Sequence, residues 1–229
     1  MLRYFIIICI FISNLIAQNL KIGIDAYYPP FEYYNYKNQI IGFDVDLIEE
    51  ISKRAKFDYT LINMDFEDIF LNLQSNEIDL AISSISKTKQ REQIVDFSAP
   101  YFYTKNVYIK LQKNSKIKHK DDLIGKKIGV QAGTTQEAIV SSIKNAKVVT
   151  SKYFATNISA LRYGKIDAIV VDQIVGLEYI KQNPSLSVFY EENNDEQFCI
   201  AFAKGKFTDL IEKINQALDE IREIGRAHV

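Results

Sequence analysis

A chain of 229 residues with 47% hydrophobic and 25% charged residues has the apolar content for a buried core and the length for one large α/β unit or two lobes of about 100 residues each. Those proportions exclude disordered, collagen-like and multi-span membrane chains. Lys and Arg total 28 against 29 Asp and Glu, a formal net charge of −1, so no global positive field exists to hold a nucleic acid.

Residues 1–17 read as an export signal. Arg3 supplies positive charge, residues 5–12 are an unbroken apolar run, and Ala17 is a small residue before polar Gln18 and Asn19. The run is too short to span a bilayer, and removal is expected in preference to retention as an anchor. A lipid anchor is not expected, because Cys9 follows Ile8 inside the apolar run. The mature chain, expected in the periplasm, then keeps Cys199 alone and has no internal disulfide.

Beyond the signal, strands are predicted over residues 20–24 and 78–82 and helices over 45–56 and 65–74. The pattern then repeats, with strands at 127–130 and 166–171 and helices at 135–144 and 157–163. Ile22-Gly23 matches Ile128-Gly129, and Ile78-Asp79 matches Ile166-Asp167, in the same order. Alternating strands and helices argue for parallel sheets with crossover helices. The Lys-rich stretch 113–120 reads as a solvated connection between the halves. Residues 197–202 look strand-like, with Cys199 a small buried hydrophobe, and a helix is predicted over 207–222. One back-translation of the final seven residues, GAG ATC GGA AGA GCA CAC GTC, resembles the start of a sequencing-library adapter. Residues 223–229 are therefore expected to be a non-native tail, and His228 carries no functional weight.

In open α/β sheets ligands bind beyond the carboxyl ends of the strands. The first strand is followed by Asp25, Tyr28, Pro29 and Pro30, which predict a rigid extended loop bearing a carboxylate and rings. The second is followed by Ser83, Ser84, Ser86 and Arg91, a suitable carboxylate receptor, because guanidinium offers two parallel hydrogen bonds and hydroxyls complete the shell. After the third come Gln131, Gly133, Thr134, Thr135, Gln136 and Glu137, where Thr134 and Glu137 match a helix capping box. Asp172 follows the fourth and suits an ammonium. Taken singly, each of these has an ordinary reading as a turn, cap or core residue.

The two His residues, His119 and His228, lie in the Lys-rich connection and the suspect tail, so no Ser-His or Cys-His nucleophilic pair forms. No GxSxG, Walker A, HExxH or paired CxxC motif occurs. No catalytic residue, cofactor or metal site is expected. Acid catalysis by Asp25 or Asp172 is the competing reading.

Several motifs together are specific. Lys21-Ile22-Gly23-Ile24-Asp25-Ala26-Tyr27-Tyr28-Pro29-Pro30-Phe31-Glu32, Ile41-Gly42-Phe43-Asp44-Val45-Asp46-Leu47, Ile78-Asp79-Leu80-Ala81-Ile82-Ser83-Ser84 with residues 88–91, Phe97-Ser98-Ala99-Pro100-Tyr101 and Gly133-Thr134-Thr135 occur in a characteristic order and spacing. In these, the chain resembles the bacterial extracellular solute-binding proteins for polar amino acids, of the lysine/arginine/ornithine type, over residues 20–223. The resemblance implies a two-lobed periplasmic binding protein fold, each lobe a mainly parallel sheet with flanking helices. Lobe one would comprise residues 18–105 and 193–222 and lobe two residues 106–192, with two hinge crossings at 103–111 and 188–197. Members usually continue past the point where this chain stops, with a Gly-Thr turn and a helix rich in aromatics.

The resemblance also implies site roles. Arg91 with Ser84 and Ser86 would hold the ligand carboxylate, aided by the backbone at Thr134 and Thr135. Asp172 would take the α-ammonium, and Tyr28 and Phe66 would sandwich the side chain. Ser83, Gln131 and Gln136 would be side-chain neighbours. Asp25 beside two rings favours a cationic side chain, hence arginine, lysine, ornithine or histidine, with glutamine or cystine as the competing ligands. The implied partners are this small amino acid and the permease of an ABC importer, and the implied state is a monomer. A receptor's sensor domain and a cyclohexadienyl-dehydratase-like enzyme share the fold and compete with the transport reading.

Overall fold

The computed structural model describes residues 19–193 and 195–227. In chain order it contains β1 (Asn19–Ile24), β2 (Tyr27–Tyr28), β3 (Glu32–Tyr34), β4 (Ile40–Ile41), α1 (Phe43–Ala55), β5 (Asp58–Asn63), α2 (Ile69–Ser75), β6 (Leu80–Ala81), β7 (Val95–Phe97) and β8 (Phe102–Thr104). There follow β9 (Asn106–Leu111), β10 (Lys127–Gln131), α3 (Thr135–Ser141), β11 (Lys147–Ser151), α4 (Phe154–Arg162), β12 (Ala168–Asp172), α5 (Gln173–Gln182) and β13 (Leu186–Glu191). The chain closes with β14 (Glu196–Phe198), β15 (Ala201–Ala203) and α6 (Thr208–Ala227).

Two five-stranded sheets result, ordered β5-β1-β6-β15-β7 and β11-β10-β12-β9-β13. In the first, β1 is parallel to β5 and β6, and β15 runs antiparallel. In the second, β10 is parallel to β11 and β12, and β9 runs antiparallel. This mainly parallel, two-lobed α/β architecture is the expected class. The strands joining the lobes are short: β8 and β14 pair antiparallel, with Glu196 opposite Thr104 and Phe198 opposite Phe102. The crossings are therefore narrower than 103–111 and 188–197, since β9 and most of β13 are ladder strands of the second sheet.

Each sheet is covered on both faces, as parallel sheets require. In lobe one, Leu20, Ile22, Leu80, Ile200 and Phe202 meet Leu47, Ile48 and Ile51 of α1 and Ile214 and Leu218 of α6. The opposite face takes Ile69 and Leu73 of α2 with Phe66, Ile85 and Val95. Alternation along β9 places Val107 and Ile109 against Phe154, Ile158 and Leu161 of α4, while Tyr108 faces Val140 of α3 with Ile128 and Val130. Each such aliphatic chain contributes about 1.5–3 kcal/mol on burial.

The loose sequence repeat is a real structural one. Asp79 accepts a hydrogen bond from the Lys21 amide at 2.8 Å, and Asp167 accepts one from the Lys127 amide at 2.8 Å. Ile78 packs against Gly23 as Ile166 packs against Gly129. These aspartates pin the open ends of matching strands and stand away from any site.

Local boundaries differ from expectation for identifiable reasons. The helix expected over 65–74 opens with a 3-10 turn at Phe66–Asp68 before α2, and that over 157–163 begins earlier, at Phe154, which is buried. α3 stops at Ser141, short of 144. The single strand expected over 197–202 is two, because β14 belongs to the hinge ladder and β15 to the first sheet. Cys199 between them is buried, and burial pushes its thiol up to about 12. Pro29 and Pro30 form the turn of the β2–β3 hairpin, closed by a 3.0 Å bond from the Phe31 amide to the Tyr28 carbonyl, in place of an extended loop. The Lys-rich stretch lies inside lobe two, between β9 and β10. α6 runs on through Ala227, while the signal assigned to residues 1–17 and the final two residues of the expected tail lie outside the described residues. No described helix is long and apolar enough to cross a membrane.

Candidate functional site

Strand ends from both sheets face one another across a nearly closed cleft, with a cavity of about 20 Å³ between them. All twelve residues named from the sequence line it: Asp25, Tyr28, Phe66, Ser83, Ser84, Ser86 and Arg91 from lobe one, and Gln131, Thr134, Thr135, Gln136 and Asp172 from lobe two, joined by Glu32. Direct contacts tie the two sides. Gln131 donates to Asp25 Oδ2 at 2.7 Å, the Tyr28 hydroxyl donates to Asp172 Oδ2 at 2.5 Å, and Arg91 donates to the Gly133 carbonyl at 3.0 Å. At the rim, Lys152 pairs with Asp65 at 2.7 Å and the rings of Tyr27 and Tyr153 lie 4.4 Å apart.

Asp25 and Asp172 have the same electrostatic signature. Each is at most 4% exposed, and each has its Oδ1 atom buried without a hydrogen-bond partner. Burial pushes both carboxyls up to about 7; the Gln131 bond opposes this at Asp25, and the negative charge of Glu196 adds to it at Asp172. A buried carboxylate oxygen without a donor is costly, by about 1–3 kcal/mol or more. Among the described residues no cluster of His, Cys, Asp and Glu is suited to a metal ion.

Arg91 is positioned by its own strand-end loop. It donates to the Ser86 carbonyl at 2.7 Å, and its guanidinium lies 5.6 Å from the Phe66 ring and 4.6 Å from the Phe70 ring. Burial lowers it to about 10, well within the range in which it stays charged. Phe66 thus stacks on the guanidinium as well as lining the cleft. Across the cleft, Gly133 adopts φ +76, and a Cβ there would sit 2.8 Å from the Glu67 backbone, so glycine is what allows this loop to approach lobe one. Thr134 caps α3, accepting from the Glu137 amide, and its own hydroxyl donates to the Gln131 carbonyl at 2.7 Å.

Several hydroxyls are committed to protein partners. Ser83 accepts from the Asp25 amide and donates to Glu32, both at 3.0 Å, so it braces the Asp25 loop. The Ser84 amide, on a residue with φ 49, donates to Asp44 at 2.8 Å. Ser86 and Thr135 bond Glu196, and Gln136 donates to Asn106 at 2.7 Å. Four polar residues that build this site escape the reading of the sequence: Glu32, Asp44, Asn106 and Glu196. Asp44 holds both Ser84 and the Tyr101 hydroxyl, the latter at 2.8 Å. Burial raises Glu32 well above the carboxylate range and Asp44 to about 6, each further shaped by the other. Glu32 and Asp44 stand inside the quoted motifs, so a carboxylate amid rings was a visible signal. Nothing local marks Glu196, 110 residues from Ser86.

The model of the family described as bacterial extracellular solute-binding proteins, family 3, matches residues 20–228. A "Probable histidine-binding protein" of Campylobacter jejuni is 42% identical over 207 residues, covering 90% of this chain and 80% of that protein. The arginine-binding extracellular protein ArtP of Bacillus subtilis is 34% identical over 218 residues, covering 91% of this chain and 82% of that protein. Among solved structures, an ancestral arginine-binding protein bound to arginine superposes with a TM-score of 0.86 at 37% identity, covering 90% of this chain and 93% of that one. By a match spanning nearly all of the described residues, on the fold and cleft set out above, this chain belongs to family 3 of the bacterial extracellular solute-binding proteins.

Proposed function

We propose that this protein captures a basic amino acid (arginine, lysine, ornithine or histidine) between its lobes and delivers it to the permease of an ABC importer. The observation that carries this reading is the pair of buried, unpartnered carboxylate oxygens, Asp25 Oδ1 and Asp172 Oδ1, in the same cleft as a buried Arg91. One anion receptor and two cation receptors match a ligand with one carboxylate and two positive groups. Asp172 takes the α-ammonium and Asp25 the side-chain cation, flanked by Tyr28 and Phe66. Arg91 takes the carboxylate, assisted by Ser84, Ser86 and the backbone at Thr134 and Thr135, while Ser83, Gln131 and Gln136 surround the side chain.

Contacts come from both lobes, so the ligand favours the arrangement in which they meet, with the β8–β14 ladder as the hinge between residues 18–105 and 193–222 on one side and 106–192 on the other. The relatives' names as binding proteins support capture without chemistry, for which the cleft needs no cofactor. The protein works as a periplasmic monomer after loss of residues 1–17. Residues 223–229 contribute nothing to binding.

A thermal-shift screen of the chain from residue 18 against the twenty amino acids, ornithine and cystine tests the reading. Ligand at 100 times Kd adds about 2.7 kcal/mol. Stabilisation by basic amino acids that vanishes in Asp25→Asn is the expected result. Stabilisation by neutral or acidic ones alone overturns the ligand class, and none at all overturns the binding role.

A further inference from the structure

Glu196 lies on β14 of the hinge ladder, and its carboxylate is held by groups from both lobes. Ser86 Oγ donates to Oε2 at 2.5 Å, Thr135 Oγ1 reaches Oε2 at 3.0 Å and Oε1 at 3.3 Å, and Asn106 Nδ2 donates to Oε1. Ser86 and Thr135 are groups of the carboxylate receptor proposed above, so Glu196 stands where that receptor's hydroxyl protons go. A hydroxyl carries a single proton. While Ser86 and Thr135 donate to Glu196, neither donates to a second carboxylate, and each presents a lone pair in every other direction. The half-buried Glu196 also borders the outer groove between the lobes, shared with Ser86, Arg91 and Thr135, which gives its side chain room to withdraw.

We infer that Glu196 is a specificity-determining residue of this cleft: an internal carboxylate that competes with the carboxylate of the bound amino acid for the Ser86 and Thr135 protons. The inference rests on the amino-acid reading. A ligand carboxylate entering the receptor exchanges hydrogen bonds with Glu196 and meets its negative charge, so the site gains less from that group than one with a neutral side chain at this position. Ligands keeping both cations but lacking the carboxylate meet no such competition. The wild-type cleft therefore discriminates less between arginine and agmatine, which is arginine without its carboxylate, than the same cleft with a neutral side chain at position 196.

Isothermal titration of the wild type, Glu196→Gln and Glu196→Ala with arginine and with agmatine tests this, each variant first checked for a cooperative melt. An amide is isosteric with a carboxylate, so Glu196→Gln reads the charge, and Glu196→Ala reads the same quantity should the amide pack poorly. The expected result is an arginine Kd lowered about tenfold in Glu196→Gln, the scale of one charge-assisted hydrogen bond, with the agmatine Kd changed less than about twofold. Adding Ser86→Ala to Glu196→Gln should erase most of the gain. An unchanged or weaker arginine affinity, or equal shifts for both ligands, overturns the role of Glu196 and leaves the amino-acid reading standing. A wild type that binds no basic amino acid overturns both.

Discussion

Tyr28 of lobe one donates its hydroxyl proton to Asp172 of lobe two at 2.5 Å. The residue therefore joins the two lobes at the carboxylate assigned to the ligand's ammonium, while its ring packs edge-on to Phe154 at 6.4 Å. Tyr28→Phe keeps the ring and removes the donor, leaving Asp172 Oδ2 buried without it. A loss of about 1–3 kcal/mol in stability is expected, read as a lower midpoint in a denaturant melt. An unchanged midpoint would show that the bond adds nothing to the joined lobes.

The shared signature of Asp25 and Asp172 gives a pH dependence of defined sign. Both carboxyls are raised from 3.8 to about 7, so between those values the folded protein binds protons that the unfolded chain has released. Stability of the protein without ligand therefore falls as pH rises through this window. Binding of a cation runs the other way, because it requires the ionised carboxylates and expels their protons. Affinity for arginine should climb from about pH 5 and level off above about pH 8, with proton release measurable by titration in buffers of different ionisation enthalpy. A flat affinity profile without proton release would remove both carboxylates from the cation sites.

In the proposed reading, Asp25 is the group that selects a cationic side chain. Asp25→Asn retains the size of the group and its place opposite Gln131 but withdraws its negative charge. Arginine affinity should fall by about 2–4 kcal/mol, the scale of a desolvated charge pair with cation–π support. Affinity for glutamine, lacking the side-chain charge, should change by less than about 1 kcal/mol. Equal losses for both ligands would assign Asp25 a structural role.

What the sequence revealed follows from how local each feature is. Asp25, Gln131 and Asp172 were legible because each ends an apolar strand, and strand ends converge in this topology whatever the intervening helices do. The parallel lobes were legible through the matched Ile22-Gly23 and Ile128-Gly129 pairs. The commitments of the hydroxyls were not. Ser83 looks in sequence like any ligand-facing serine, and only the fold brings Glu32 to it across 51 positions. Glu196 reaches Ser86 and Thr135 through a hinge strand of three residues, too short to carry a periodic signal. The break between β14 and β15 was hidden for a related reason: Cys199 and Ile200 are as buried as Phe198 before them and β15 after them.

The repeated glycines make a last prediction that separates the two lobes. A Cβ added at Gly23 would meet Ile78 Cδ1 at 2.5 Å, with Met64 Sδ next at 3.3 Å. At Gly129 it would meet Ile166 Cδ1 at 2.6 Å, but also Asn157 Oδ1 at 2.8 Å. Overpacking of this kind costs about 1–3 kcal/mol, so Gly23→Ala and Gly129→Ala should each destabilise the protein. The remedies differ. Ile78→Val deletes the one clashing methyl group in lobe one, so Gly23→Ala with Ile78→Val should recover most of the loss in a denaturant melt. Ile166→Val deletes the corresponding methyl in lobe two but leaves the buried Asn157 amide in place, and Gly129→Ala should stay destabilised. Equal rescue in both lobes would mean that Asn157 yields freely, and no rescue in lobe one would mean that the Ile78 methyl is not what confines Gly23.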